Sequence, residues 1–166
     1  MKRIAISVFG ALTLLAAANA VAPSSAPAQK AFDRLKTLAG TWQGTAGEKS
    51  TVVYKVTAGG SALVETQLPG TEMEMISVYH MDGDRLLMTH YCAAHNQPTM
   101  KLIPGKDPSK LRFEFVSGTN MKPADMHMHS VVFHLIDKDH MVSDWTSFMK
   151  GKSAGSVKFE MHRVKA

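Results

Sequence analysis

The sequence predicts an all-β protein, a single antiparallel up-and-down β-barrel of about ten strands that follows one short helix. The main observation is that apolar and polar residues alternate with a period of two from residue 51 onward. Turn signals such as Gly59-Gly60, Pro69-Gly70 and Asp82-Gly83-Asp84 separate the alternating segments. The chain of 166 residues is long enough for one domain and too short for two of ordinary size.

The helix is predicted at Ala31–Leu38, because Phe32, Leu35 and Leu38 recur at helical spacing and Gly40 follows as a stop. A first strand is expected around Trp42. The further predicted strands cover residues 51–57, 61–68, 72–81, 85–92, 100–103, 111–116, 127–136, 140–149 and 157–164. A meander of this kind satisfies its edge strands by closing into a barrel.

The N-terminus is typical of a secretory signal peptide. Lys2 and Arg3 precede an uncharged apolar run, Ile4–Ala18, and Ala18-Asn19-Ala20 matches the small-x-small pattern of a cleavage site. The apolar run is shorter than the roughly twenty residues of a membrane-spanning helix, so we expect no permanent membrane anchor. We expect residues 1–20 to be the signal peptide, 21–30 a flexible leader and 31–166 the barrel domain. The predicted location is periplasmic or secreted.

Charge and cysteine content narrow the functional classes. The chain has 19 basic and 14 acidic residues, and cleavage after Ala20 removes two basic ones, which changes the net charge from +5 to +3. The remaining charges are dispersed, which argues against nucleic acid as a partner. Cys92 is the only cysteine, so no internal disulfide is possible.

Two segments resemble known families. Leu38–Gly44 reads Leu-Ala-Gly-Thr-Trp-Gln-Gly and resembles the Gly-x-Trp opening motif of lipocalin-like, or calycin, barrels. Ser77–Gln97 resembles a family of uncharacterised secreted bacterial proteins with such a barrel, and nitrobindin-like barrels are a more distant resemblance. The resemblance covers about Phe32–Val164 and implies a lipocalin or fatty-acid-binding-like fold. It also implies a structural role for Trp42, packed under the closed end of the barrel with Arg163 stacked over its ring.

The alternation pattern predicts a non-enzymatic barrel that binds a small hydrophobic or amphipathic molecule in its interior. Methionine, aromatic and aliphatic side chains with few polar groups are the usual lining of such pockets. The expected lining residues are Tyr54, Met73, Met75, Tyr79, His90, His129 and Trp145. In the loop after Cys92, His95 and Asn96 are expected either to lie over the barrel mouth or to form an ordinary hairpin turn.

The alternative function is metal or haem binding. His127 and His129 share one strand face, and His90 and Cys92 form the same i, i+2 pair on another strand, so four donors suited to zinc or copper converge if those strands face each other. The other interpretation is that these histidines line a cavity and that Cys92 is a buried apolar residue. The resemblance to nitrobindin-like barrels suggests His162 as a haem ligand, but alternation places His162 outside. We therefore predict no cofactor.

Strand parity divides the histidines and methionines between the two faces. Met73, Met75, His90, His127 and His129 are predicted inside, whereas His80, Met126, His134 and His162 are predicted outside. For an enzyme, Cys92 with His90 or His95 is the only conceivable nucleophile pair, and we identify no inward carboxylate to orient the histidine. The sequence does not indicate an oligomeric state.

Overall fold

The computed structural model describes residues 26–45 and 49–165, so the expected signal peptide and its cleavage site lie outside the described residues. The described residues form one helix and ten strands, together with a 3-10 turn at Ala58–Gly60. The elements are α1 (Ala26–Lys36), β1 (Gly40–Thr45), β2 (Lys49–Thr57), β3 (Ala62–Gln67), β4 (Met75–Asp82), β5 (Arg85–Tyr91), β6 (Gln97–Ile103), β7 (Lys110–Thr119), β8 (His127–Leu135), β9 (His140–Met149) and β10 (Lys152–Arg163).

The strands form a closed antiparallel barrel in which each strand pairs with the next one in the chain. Pairing of β1 with β10 closes the barrel, with Trp42 opposite Arg163 and Gly44 opposite Met161. The approach there is close, because a Cβ added at Gly44 would lie 1.8 Å from the carbonyl oxygen of Glu160. The predicted all-β barrel of about ten strands with one short helix is confirmed.

The helix begins earlier than the sequence analysis predicts. It begins at Ala26, so residues 26–30 of the expected flexible leader are helical, and Ala28 is buried beside Phe32 and Leu35. Pro27 is compatible with this start, because the first helical turn needs no hydrogen bond from its backbone nitrogens. The helix has eleven residues, and the described part of the chain contains no helix with the length and hydrophobicity needed to cross a bilayer.

The helix covers one end of the barrel, which we call the closed end. Phe32, Leu35 and Leu38 are buried and pack in one core cluster with Trp42. The Arg34 side chain donates a hydrogen bond to the carbonyl of Pro108, in the connection between β6 and β7 at that end. Because consecutive strands run up and down, the opposite end carries the connections at residues 68–74, 92–96, 120–126 and 150–151, and we call it the open end.

The middle of the barrel is filled by its own side chains. Tyr79, Phe113 and Phe133 meet edge to face, with ring centroids 5.7 to 6.3 Å apart. Around them Leu63, Met88, Met100 and Val131 have no accessible surface. A void large enough for a ligand would leave accessible surface on the side chains around it. The described residues therefore leave no ligand-sized space at this level of the barrel.

Candidate functional site

The candidate site is an apolar pocket of about 350 Å³ at the open end. We call it the open-end pocket. It is lined by Phe115, Gly118, Met121, Lys122, Pro123, His127, His129, Phe148 and Gly151, from the ends of β7, β8 and β9 and the two connections between them and β10. Apolar and aromatic walls with a few polar groups are the usual composition of a small-molecule site.

A stack of three rings forms one wall of the open-end pocket. The His129 imidazole lies between Phe148, with ring centroids 3.8 Å apart and planes within 11°, and Phe115, at 5.4 Å and 20°. The register of β8 against β9 shifts between Met128 and Ser130, which leaves His129 without a cross-strand partner. The irregularity places His129 and Phe148 side by side at the rim, as β-bulges often do near binding sites.

The two histidines of the pocket form a directed hydrogen-bond chain. His127 Nδ1 lies 3.0 Å from the carbonyl oxygen of Asp125, which only accepts, so this nitrogen carries a proton. In neutral His127 the Nε2 atom is then an acceptor, and His129 Nδ1, 3.1 Å away, donates to it. Neutral His129 consequently has its lone pair on Nε2. The chain fixes both tautomers and leaves one imidazole acceptor at the pocket wall.

The surroundings of His129 keep its imidazole neutral. Burial lowers the pKa of His129 below its usual value of 6.5, and the neighbouring His127 lowers it further, while Glu114 acts in the opposite direction. A positive charge here would be partly desolvated between the rings of Phe115 and Phe148. The pocket is therefore an apolar surface with a neutral hydrogen-bond acceptor at neutral pH.

Small residues shape the floor of the pocket. Gly118, near the end of β7, lies under Met121, and a Cβ at Gly118 would come within 2.2 Å of the Met121 sulfur. Met121 follows the end of β7 and is half-buried, so its flexible thioether forms an adaptable part of the wall. Lys122 is the one Lys or Arg among the residues that line this pocket. Its ammonium group can meet a polar or acidic end of a bound molecule.

A buried polar cluster lies inside the barrel and centres on Glu65. Tyr54 and Gln67 each donate a hydrogen bond of 3.0 Å to Glu65 Oε1, and Tyr79 donates one of 2.5 Å to Oε2. Burial raises the pKa of Glu65, although the hydrogen bonds from Gln67, Tyr79, Tyr54 and Ser77 oppose the rise. The pKa values of Tyr54 and Tyr79 are raised by burial and by the nearby carboxylate. The sequence analysis missed this inward carboxylate.

His90 lies in the interior as predicted, but in packed surroundings. Its Nδ1 is 3.0 Å from the Ser77 hydroxyl oxygen, and its ring packs against Trp145 with centroids 4.8 Å apart. Burial lowers the pKa of His90 to about 4. His90 Nε2 and Trp145 Nε1 are buried and have no hydrogen-bond partner among the described residues. The Ser77–His90 pair has the composition of a nucleophile and base, but it is closed off from solvent.

The structure corrects the predicted pocket lining. Tyr54, Tyr79, His90 and Trp145 are at most 2% exposed and belong to the filled interior. Trp145 also borders a separate pocket of about 220 Å³ beside β10. Met73 is 54% exposed, because the chain turns before β4 begins at Met75 and the strand alternation does not reach it. Met75 is half-buried at the first position of β4. Of the seven predicted lining residues, His129 is the one that lines the open-end pocket.

The four predicted metal donors do not form one cluster. His90 contacts Ser77 and Trp145 in the interior, whereas His127 and His129 contact each other and Phe115 at the open end. Cys92 lies beyond the end of β5 and is partly buried. Burial raises the pKa of its thiol, which opposes the thiolate needed for metal binding or nucleophilic attack. The expected convergence of these strands at one metal is therefore wrong.

The loop that contains His95 and Asn96, predicted to lie over the barrel mouth, is at the open end. Its two residues have different roles. Asn96 is buried, and its Nδ2 donates a 2.7 Å hydrogen bond to the carbonyl of Met126. It thereby ties the β5–β6 connection to the β7–β8 connection that borders the pocket. His95 is exposed with a φ of 62° in the turn. His95 therefore belongs to an ordinary hairpin turn. Asn96 does not line the pocket but stabilises the connection that borders it.

Strand parity places the outward histidines correctly. His162 is exposed, His80 and His134 are half-exposed, and Met126 is 39% exposed. The outward position of His162 does not fit it to ligate a haem group inside the barrel. The sequence analysis missed Phe115 and Phe148 as pocket residues. Phe148 lies beside register shifts in both neighbouring strands, between Met128 and Ser130 on β8 and between Ser153 and Gly155 on β10, which alternation does not reveal.

Comparison with known proteins supports the fold and does not extend to function. No protein-family model matches the chain, and no curated protein matches it significantly. Among solved structures, the chain is similar to the crystal structure of Rv2717c from M. tuberculosis, with a TM-score of 0.55 and 15% sequence identity. The match covers 86% of this chain and 100% of that chain. The likeness shows a shared barrel fold, which is consistent with the lipocalin-like resemblance.

Proposed function

We propose that this protein is a non-enzymatic barrel that binds a small aromatic or amphipathic molecule in the open-end pocket. The observation that carries the proposal is the exposed edge of the Phe115–His129–Phe148 stack, which forms the wall of a pocket of about 350 Å³. The filled interior leaves the two ends of the barrel for ligands, and the aromatic stack favours the open end. The volume is at the lower end of the range typical of ligand sites, so the ligand is small.

The chemistry of the pocket favours a flat, largely apolar ligand with one polar group. Phe148 and Phe115 offer ring faces and edges, Met121 adapts to the ligand shape, and His129 Nε2 accepts one hydrogen bond. A hydroxyl or N–H group on the ligand satisfies this acceptor, and Lys122 meets an acidic group. We also propose, from residues 1–20, that the protein acts outside the cytoplasm after export.

The proposal is tested by titrating the folded protein with the neutral fluorescent dye 1-aminoanthracene. We expect saturable binding with an emission blue shift. Phe148→Ala removes the closest stacking partner of His129 and should weaken dye binding by roughly tenfold, a loss of about 1.4 kcal/mol. Tyr91→Ala is the matched control, because this aromatic residue is 51% exposed and lies outside the pocket lining.

A second variant distinguishes a loss of binding from a loss of folding. Met121→Ala lies in a connection rather than in a strand and should weaken binding with little effect on the unfolding midpoint. Native mass spectrometry of the gently purified protein should show a small organic adduct, reduced in Phe148→Ala. Equal dye affinity in the wild type and both pocket variants contradicts the proposal, as does the absence of both dye binding and an adduct.

A further inference from the structure

A second cluster of chemically competent side chains lies on the outer face of β9 and β10. His140 on β9 is directly opposite His162 on β10, and Glu160 precedes His162 by two residues and so lies on the same face. The two imidazole rings stack with centroids 4.3 Å apart and planes within 17°. Two strands therefore present two imidazoles and one carboxylate at a single place.

The donor atoms of this cluster are close enough to share one ion. One ligand atom from each of the three residues lies within 4.8 Å of the others, and His140 Nε2 is 3.5 Å from Glu160 Oε1. Within the described residues this is the one group of three or more His, Cys, Asp or Glu side chains that meets this criterion. The antiparallel pairing of the strands holds the backbone positions of all three residues.

An independent observation points to a ligand. His140 Nε2 is shielded from solvent and has no hydrogen-bond partner among the described residues. A buried polar nitrogen is normally satisfied, since leaving it unpaired costs free energy. The nearest charged group is Glu160, whose Oε1 lies 3.5 Å from this nitrogen without forming a hydrogen bond, and the His162 ring stacks on the His140 ring. An ion bound by all three side chains would satisfy His140 and neutralise the carboxylate.

We propose that His140, Glu160 and His162 form a surface site for one divalent transition-metal ion, Zn²⁺ or Cu²⁺. Two imidazole nitrogens and a carboxylate oxygen are a donor set that these ions accept, with water completing the coordination. Zinc–nitrogen distances are about 2.0–2.1 Å, so donors that now lie within 4.8 Å must approach one another by up to about 1.5 Å, and one of the two stacked imidazole rings must turn so that both nitrogens face the ion. Glu160 and His162 are exposed and are free to make this adjustment.

The proposed site is separate from the open-end pocket. His140 is the first residue of β9, at the closed end, whereas Phe148 is near its last residue at the open end. Eight residues of extended strand separate them by roughly 25 Å. The site also differs from the set of His90, Cys92, His127 and His129 that the sequence suggests, because it depends on the register of β9 against β10 rather than on spacing along one strand.

The test is isothermal titration of the EDTA-treated, folded protein with Zn²⁺ and, separately, with Cu²⁺. We expect one ion per chain. His140→Gln and His162→Gln should each weaken binding by roughly tenfold or more, and Glu160→Gln should weaken it by a smaller factor. His134→Gln, on the outer face of the neighbouring β8, is the matched control and should bind as the wild type does.

His129→Gln separates this site from the pocket, since it should leave the affinity for metal unchanged. In NMR spectra, Zn²⁺ should shift the imidazole signals of His140 and His162 while those of His127 and His129 stay in place. The proposal is overturned if neither ion binds, or if His140→Gln and His162→Gln fold and bind with wild-type affinity. It is also overturned if His129→Gln abolishes the binding.

Discussion

The guanidinium carbon of Arg163 lies 4.4 Å above the ring of Trp42, at the closed end of the barrel. The same side chain donates hydrogen bonds of 2.8, 2.7 and 2.9 Å to the carbonyls of Thr37, Ala39 and Lys138. Two of these carbonyls follow directly after α1, where backbone acceptors lack partners within the helix. Arg163 thus joins the helix, the first strand and the last strand.

Arg163→Ala should lower the free energy of unfolding by about 3 kcal/mol, because it removes three charge-assisted hydrogen bonds and a cation–π contact. Arg163→Lys keeps the charge and loses the planar fork that reaches three carbonyls, so we expect about half of that loss. Equilibrium urea unfolding measures both values. The contact itself is the one that the lipocalin-like resemblance implies for Trp42 and Arg163.

Arg112→Ala is the control for the Arg163 variants. Arg112 forms an ion pair with Glu114 in which both side chains are well exposed, so its removal should cost less than about 1 kcal/mol. If Arg163→Ala costs no more than Arg112→Ala, Arg163 does not hold the closed end together.

His90 should make the protein less stable in acid. Its folded-state pKa is lowered from 6.5 to about 4 by burial, so the folded state resists a proton that the unfolded chain accepts. The stability linked to His90 is therefore fully present above pH 6.5 and is lost as the pH falls through about 4. The full difference corresponds to about 3 kcal/mol.

His90→Gln removes this titration while keeping a neutral polar side chain next to Ser77. The difference in unfolding free energy between wild type and His90→Gln should therefore shrink from pH 7 to pH 4. His134→Gln, at a half-exposed position on the outer face, should give a much flatter difference. If the difference in unfolding free energy between wild type and His90→Gln is constant over this pH range, His90 is not the cause of the acid sensitivity.

Glu65 should make the protein less stable as the pH rises, which is opposite to the effect of His90. Burial raises its folded pKa above the ordinary 4.5, so the stability linked to Glu65 is fully present below pH 4.5 and is lost as the pH rises through the folded pKa. Glu65→Gln lacks this titration, so its stability relative to the wild type should improve as the pH is raised from 4 to 8. Urea unfolding at each pH measures the trend, and Glu72→Gln, at an exposed turn position, is the control that should show none.

The fold was predictable from the sequence because its determinants are local and repeated. Alternation from residue 51 onward, together with glycine-containing turns, specifies strands and their inward faces, and the packed positions of Phe113 and Phe133 follow from it. The same rule failed at Met73, where the chain turns before the strand begins. It also failed to identify Glu65 as an inward residue. The cost of burying this carboxyl group is offset by hydrogen bonds from Tyr54, Tyr79 and Gln67.

The site was harder to predict because it depends on the register between strands and on how completely side chains fill the barrel interior. That His127 and His129 would share a face followed from their spacing, but their stack with Phe115 and Phe148 depends on a shift between β8 and β9 that no local pattern shows. Likewise, inward parity cannot distinguish a cavity wall from a packed core. That difference depends on the volumes of side chains contributed by all ten strands together.

Ligand binding in the open-end pocket should weaken in acid, and His129 should be the cause. Its pKa is lowered by burial and by His127, so the His129 imidazole is neutral at pH 7 and gains a charge only when the pH falls below the usual range of histidine. Protonation at Nε2 removes the acceptor and places a cation beside an apolar ligand. The affinity for 1-aminoanthracene should therefore be constant above pH 6.5 and should fall below it.

His129→Phe tests this assignment because it keeps a flat ring between Phe115 and Phe148 and cannot be protonated. This variant should bind the dye with little dependence on pH between 7 and 5, whereas His134→Phe, on the outer face, should retain the acid-dependent loss seen in the wild type. Circular dichroism over the same pH range shows whether the protein stays folded, which separates the loss of dye affinity from the acid destabilisation attributed to His90. An identical acid-dependent loss in wild type and His129→Phe assigns the titration to another group and refutes the role of His129.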